Sequence, residues 1–261
     1  MARKKKIKSN RIRNINIVVL LIVIGLLVTN KYYPLEDLVE KIFPTHYKTY
    51  TEFGIKIPTQ YKVHGIDVSH HQGKINWDMA KAMKDKDISL EFAFLKATEG
   101  NNFKDKKFTY NWRKSKTAGF LRGAYHYFSP HKKGEDQAKH YIKNVTLKKG
   151  DFPPVIDVED IGNVSSKTLM KGVMKFAKKV EAHYGVKPII YTYHDFYKNH
   201  FDSSFDSYTL WIAHYYVKTP SNQVWNFWQH NDKGTVSGIN NRVDFNVFNK
   251  DLEKLKGLLI K

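Results

Sequence analysis

The sequence predicts an α/β fold closed into an irregular barrel, and three observations predict it. From residue 61 onward, short β-branched and aromatic runs alternate with helical patterns, which argues a parallel sheet. Eight such runs fit into about 200 residues, the economy of a closed barrel. The helical patterns fade in the last third, so the barrel departs from regularity there. An open doubly wound sheet is the competing architecture on pattern alone.

The elements follow in order. Residues 63–68 read as the first strand, and Asn76 is placed to cap a helix to about 83. Residues 90–97 form a strand, followed by a helix near 106–117 that Gly119 ends. Residues 121–128 form the third strand, with a helix over about 134–145. Residues 154–158 are a short buried strand. Residues 165–184 carry Leu169, Val173, Phe176, Ala177 and Val180 at helical spacing, with Ser165 as N-cap, Gly185 as C-cap and Pro188 blocking continuation. Residues 189–193 follow as a strand, and 210–215, 224–229 and 243–248 as three strands joined by loops.

The chain has 261 residues, 44 Lys+Arg against 25 Asp+Glu, no cysteine and a net charge of +19. Seven of the basic residues, Arg3 to Arg13, stand ahead of the first acid; residues 62–261 keep a net +12. At 41% hydrophobic and 14% aromatic, the body is too apolar for a disordered polycation. Zero cysteine excludes disulfides, thiolate metal sites and a cysteine nucleophile. Residues 1–14 read as a basic cytoplasmic leader and 15–33 as a transmembrane or signal-anchor segment. The uninterrupted apolar run 17–28 is short for a span, but no small-x-small cleavage site follows it. The leader keeps its own side cytoplasmic and places the rest outside. Membrane anchoring is the expectation; secretion after signal cleavage is the alternative. Residues 34–61, punctuated by Pro34, Pro44 and Pro58, read as a linker. The domain proper is expected over 62–261.

In a parallel barrel, chemistry gathers at the C-terminal strand ends. Acids stand there: Asp67 on the first strand, Asp157 and Glu159 on the fourth, Asp244 on the last. Asp157 and Glu159 are two apart, so on a strand they share a face. Val155, Ile156 and Val158 bury that strand, so one of the two carboxyls should stay protonated near neutrality. An acid beside an ionised partner is what glycosidic cleavage requires. Taken alone, Asp-x-Glu is as easily a solvated loop; Asp67 and Asp244, adjacent once the barrel closes, tip the balance. Aromatic residues crowd the same ends: Tyr125, Tyr127, Tyr191, Tyr193, Trp211, Trp225 and Trp228. Flat rings suit sugar faces, though each is as readily core as site, and alternation lets only one face of each strand line a pocket. His70, His71, His126, His131 and His140 lack metal-ligand spacing, so no metal is expected.

These residues together resemble the glycoside hydrolase family 25 lysozymes, the muramidases of the Chalaropsis type. The likeness runs in order through Gly65-Ile66-Asp67-Val68-Ser69 with His71-Gln72-Gly73 and Trp77, then Phe94-Leu95-Lys96-Ala97-Thr98-Glu99-Gly100. Gly123-Ala124-Tyr125-His126-Tyr127, Asp157-Val158-Glu159, Trp211-Ile212-Ala213, Trp228-Gln229 and Val243-Asp244-Phe245-Asn246 complete it. The resemblance implies a TIM-like (β/α)5(β)3 barrel and cleavage of the β-1,4 bond between N-acetylmuramic acid and N-acetylglucosamine. It implies Glu159 as general acid, Asp157 assisting the substrate's 2-acetamido group, and Asp67 and Asp244 positioning substrate. Tyr125, Tyr127, Tyr193, Trp211 and Gln229 are taken as substrate-binding residues. The implied route requires no cofactor. The expected partners are peptidoglycan glycan strands and, through the N-terminal segment, a membrane; the expected state is a monomer. A chitin-type hydrolase and a non-catalytic wall-binding module on the same barrel are the alternatives. The basic residues are dispersed and no nucleic-acid motif is present, so no nucleic-acid partner is expected.

Overall fold

The computed structural model describes residues 46–220 and 224–261. The expected leader, the segment 15–33 and the first part of the linker lie outside the described residues. Among those described, no helix is long and apolar enough to cross a membrane.

The chain runs through Tyr47–Tyr50 (β1), Ile55–Pro58 (β2), Val63–Val68 (β3), Trp77–Ala82 (α1), Lys84–Asp85 (β4) and Ile88–Glu99 (β5). Phe103–Lys104 (β6), Phe108–Thr117 (α2), Leu121–Tyr127 (β7), Gly134–Asn144 (α3), Val155–Asp157 (β8) and Ser166–Tyr184 (α4) follow. Ile189–Tyr193 (β9), His194–His200 (α5), Thr209–Ala213 (β10), Phe227–Gly234 (β11), Val243–Phe248 (β12) and Leu252–Lys256 (α6) complete it. The caps expected from sequence form: the Asn76 side chain accepts from Met79 N, Ser165 accepts from Thr168 N, and Gly185 takes the left-handed C-cap conformation.

Eight strands close a barrel in the order β3-β12-β11-β10-β9-β8-β7-β5, with β3 pairing β5. The open doubly wound alternative is thereby excluded. Six of the eight interfaces are parallel. The last strand, β12, runs antiparallel to both neighbours, β11 and β3. Asp244 therefore stands near the start of its strand, directly opposite Asp67, and not at a C-terminal strand end as the parallel pattern suggests. Strand direction leaves no trace in side-chain periodicity, which is why the sequence pattern misses it.

Two apolar layers result. Inside the barrel, Val63, Phe92, Phe94, Phe152, Val155, Ile189, Phe227 and Phe248 fill the half nearest the N-terminal ends of the parallel strands. Phe92 and Phe94 fit only because glycines face them. A Cβ at Gly65 would lie 2.5 Å from the Phe92 ring, and one at Gly123 2.4 Å from Phe94. The outer layer, including Ile66, Leu95, Ile156, Leu169, Val173, Phe176 and Ile190, packs the strands against the helices.

The linker boundary needs correction. The compact unit begins at Tyr47, because β1 and β2 pair as an antiparallel hairpin over part of the segment read as a tether. Tyr50, Phe53, Ile55 and Ile57 are buried. Phe53 packs on Phe245 with ring centroids 5.2 Å apart, and Thr235 N donates to the Phe53 carbonyl at 2.9 Å. The hairpin covers the outer face of β11 and β12, the sector where no helix lies between strands. Its period-2 pattern is four residues per strand, too short to stand out from the prolines around it. The predicted strand over 224–229 is likewise shifted to 227–234, and α5 forms where a loop is expected.

Candidate active site

A cleft of about 290 Å³ opens at the end of the barrel opposite the phenylalanine floor. It is lined by the four acids and the five substrate-binding residues expected from sequence: Asp67, Asp157, Glu159, Asp244, Tyr125, Tyr127, Tyr193, Trp211 and Gln229. They come from seven strands and the segment after β8. Strand parity explains the convergence. On β7, Tyr125 and Tyr127 point in while His126 points out; on β9, Tyr191 and Tyr193 point in.

Parity also corrects the aromatic cluster. Gln229 faces the cleft, so its neighbour Trp228 faces outward. Trp228 and Trp225 pack against Tyr61 at 5.9 and 5.4 Å in the outer layer, and the Trp228 indole donates to the His214 carbonyl. Neither lines the cleft. His126 is structural as well: it bridges Thr98 at 2.8 Å and Gln137 at 3.1 Å, tying β7 to β5 and α3. Among the described residues no group of three His, Cys, Asp or Glu is placed to hold a metal ion.

A buried hydrogen-bond chain fixes the back wall. Asp67 Oδ2 accepts from Gln229 Nε2 and Asn246 Nδ2, each at 2.7 Å. Asn246 Oδ1 accepts from the Trp211 indole at 2.7 Å, and Gln229 Oε1 accepts from the hydroxyls of Tyr191 at 2.8 Å and Tyr215 at 2.6 Å. With both amides committed, their NH2 groups can only point at Asp67. Trp211 also stacks on Phe94, 4.5 Å between centroids, which rests the wall on the apolar floor.

Asp157 stands apart from this chain, and Glu159 meets it only through Tyr191. Asp157 is buried, and its Oδ1 has no hydrogen-bond partner. Glu159 is half-buried just beyond β8. Burial pushes both upward from the usual carboxylate range. The Glu159 charge adds to the rise at Asp157, while the Tyr191 and Tyr193 hydroxyls oppose it at Glu159 and Lys96 opposes it at both. Burial also raises Asp67, with Asp244 next, against its two amide donors. Asp244 is pushed up to about 7 by burial, with Asp232 and Glu159 adding to it. The cleft thus holds four acids whose carboxyls are each raised above the usual range, and a raised carboxyl is the condition for donating a proton to a leaving oxygen.

Lys96, Tyr191, Tyr215, Ser69 and His71 complete the lining. Lys96 pairs with Glu99 at 2.6 Å and sits 4.8 Å over the Tyr127 ring. Lys96 was legible by parity, since it shares a face with Phe92 and Phe94. Tyr215 was legible in the same way, since on the strand expected over 210–215 it shares a face with Trp211, although β10 itself ends at Ala213.

The sequence profile described as "Glycosyl hydrolases family 25" matches residues 66–239. The chain is 47% identical to the uncharacterized protein YegX of Escherichia coli, over 82% of this chain and 79% of that one. It is 32% identical to lysozyme M1 of Streptomyces globisporus, over 75% and 71%. Among solved structures, a family 25 glycosyl hydrolase from Bacillus anthracis superposes with a TM-score of 0.70 at 32% identity, over 82% and 97%.

Proposed function

The chain belongs to glycosyl hydrolases family 25, and from that premise we propose how its cleft works as a lysozyme that cleaves peptidoglycan at the β-1,4 bond between N-acetylmuramic acid and N-acetylglucosamine. The observation that carries the reading is the convergence of four carboxyls in one cleft, with Asp157 buried and Glu159 at its edge.

Glu159 is the general acid. It is half-buried at the cleft edge, and its carboxyl holds a proton to higher pH than an exposed glutamate. That proton goes to the glycosidic oxygen as the bond to the anomeric carbon breaks. The substrate's own 2-acetamido oxygen closes on that carbon from the opposite face. Asp157 accepts a hydrogen bond from the acetamido N–H, which stabilises the charge that develops on the amide. Water then opens the cyclic intermediate, with Glu159 taking the proton back, so configuration is retained. Asp67 is held too rigidly by Gln229 and Asn246 to move with the reaction; with Asp244 it orients the sugar. Tyr125, Tyr127, Tyr193, Trp211 and Gln229 supply the faces and edges that the sugar contacts. The Chalaropsis type of muramidase is the finer assignment, and the ordered motifs support it.

The N-terminal segment 15–33, behind its basic leader, is read as a membrane anchor that holds the domain outside the cytoplasm as a monomer. Recovery of the full-length chain in the membrane fraction, against release of a shortened chain, tests that reading. For the activity, purified peptidoglycan and chitin are digested in parallel. Turnover of peptidoglycan well above chitin is expected; equal or better turnover of chitin would replace the muramidase reading by a chitin-type hydrolase.

A further inference from the structure

Among the described residues, two non-glycine residues take positive φ: Lys86 at 53° and Tyr216 at 58°. Lys86 sits in the tight turn joining β4 to β5, where such a conformation is routine. Tyr216 lies in the turn that follows β10. A bulky side chain in the left-handed region costs about 1–2 kcal/mol, and such strain persists where the surroundings impose it. Its ring is the reverse of a core ring, 62% exposed. It is nonetheless held: the hydroxyl donates to Asp232 Oδ1 at 2.5 Å, and Lys233 Nζ lies 5.1 Å from the ring centroid.

The placement continues the cleft. Tyr191, Tyr193, Tyr215 and Tyr216 form a ladder with successive ring centroids 6.4, 6.4 and 6.2 Å apart. It climbs from the buried Tyr191 through Tyr193, 39% exposed, to the open Tyr216 ring. The first three rungs line the cleft. Asp232, which anchors the last, is near enough to Asp244 to add to the rise of its carboxyl. A strained, anchored and solvent-facing aromatic at the end of such a row has no packing role to explain it.

We propose that Tyr216, fixed by Asp232, is the stacking platform of an outer saccharide subsite, and that Lys233 beside it takes the carboxylate that muramic acid or its peptide carries. This rests on reading the cleft as peptidoglycan-cleaving. The platform lets a polymeric strand be gripped beyond the sugars flanking the broken bond. It also gives the backbone strain a use, since this conformation presents the ring outward with its hydroxyl on Asp232.

The test uses Tyr216→Gly, which removes the ring at a φ that glycine adopts freely, and so separates binding from folding. Cosedimentation with purified insoluble peptidoglycan, in a Glu159→Gln background to stop turnover, reads affinity directly. Loss of the platform is expected to weaken binding roughly five- to tenfold, the scale of one aromatic contact. Tyr216→Phe, which keeps the ring, should recover most of it. In the active chain the KM for polymeric peptidoglycan should rise by a similar factor, with a smaller rise on an oligosaccharide too short to leave the inner cleft. Melting of Tyr216→Gly should stay within a few degrees of the parent. Parent-like binding by Tyr216→Gly would overturn the subsite alone. A parent that sediments with peptidoglycan but never digests it would overturn the muramidase reading and leave the subsite standing. A parent that does neither overturns both.

Discussion

The two halves of the barrel interior are built from the same alternating strands and could hardly differ more. The lower half is a plug of phenylalanines, with Phe92, Phe94, Phe152 and Phe227 in edge and tilted contacts at 5.2–6.3 Å. The upper half holds Asp67, Asp157, Glu159 and Asp244 around an open cleft. Moving two residues along β3 changes Gly65 to Asp67, and along β5 it changes Phe94 to Lys96. The lesson concerns division of labour. The floor stabilises through burial and offers no chemistry, while the cleft concentrates like charges that burial makes costly. The floor carries the cleft physically, through Phe94 under Trp211, Trp211 on Asn246, and Asn246 on Asp67.

The largest effect is expected from a change in the cleft. Glu159→Gln keeps shape but cannot donate a proton, so kcat on peptidoglycan should fall about 10²–10⁴-fold with folding intact. Turbidity clearance and circular dichroism check the two halves of that statement. Asp157→Asn should lower kcat by less, because the amide still reaches the acetamido group.

A change in the floor should cost stability. Phe94→Ala removes a ring that touches four others and should destabilise by about 3–5 kcal/mol, read from denaturant melts. Loss of the Trp211 contact should also loosen the back wall and raise KM.

The third outcome separates the halves by sign. Asp244 has its carboxyl pushed up to about 7, above the unfolded value of about 3.9. The folded state therefore binds the extra proton between those values, and its stability falls as pH rises through that window. Asp244→Asn should be more stable than the parent by roughly 2–4 kcal/mol above about pH 8, and the gain should vanish below about pH 4. Urea melts across that range measure it. No such pH dependence is expected from Phe94→Ala.

The smallest effect lies in the outer layer. His230 is buried with neither ring nitrogen hydrogen-bonded, and burial lowers its pKa to about 3. The unfolded chain takes up this proton below about pH 6.5 while the folded one does not, so stability drops as pH falls. His230→Leu should gain about 1–2 kcal/mol over the parent near pH 5. An unchanged acid limb would show that other groups set it.

Much of this was legible in the sequence, for physical reasons. Asp67, Asp157 and Glu159 announce themselves because acids interrupt apolar strands. Helix α4 is legible because Ser165, Gly185 and the apolar spacing agree. What was hidden has equally definite causes. The direction of β12 has no periodic signature, so Asp244 was placed at the right mouth by the wrong strand polarity. Hairpin β1–β2 is too short to rise above Pro44 and Pro58. Trp228 was misplaced by composition when parity with Gln229 would have turned it outward, and Trp225, which shares the parity of Gln229, lies in the outer layer because it precedes β11. Asn246 acts only through partners distant in sequence, which no local pattern reveals.

The most direct measurement is the identity of the new reducing end after the parent chain digests purified peptidoglycan. Borohydride reduction followed by mass spectrometry should give muramitol-ended fragments, with about 10²–10⁴-fold fewer from Glu159→Gln in the same time. Glucosaminitol-ended fragments, or muramitol ends undiminished in Glu159→Gln, would contradict the assignment of the cleft and its acid.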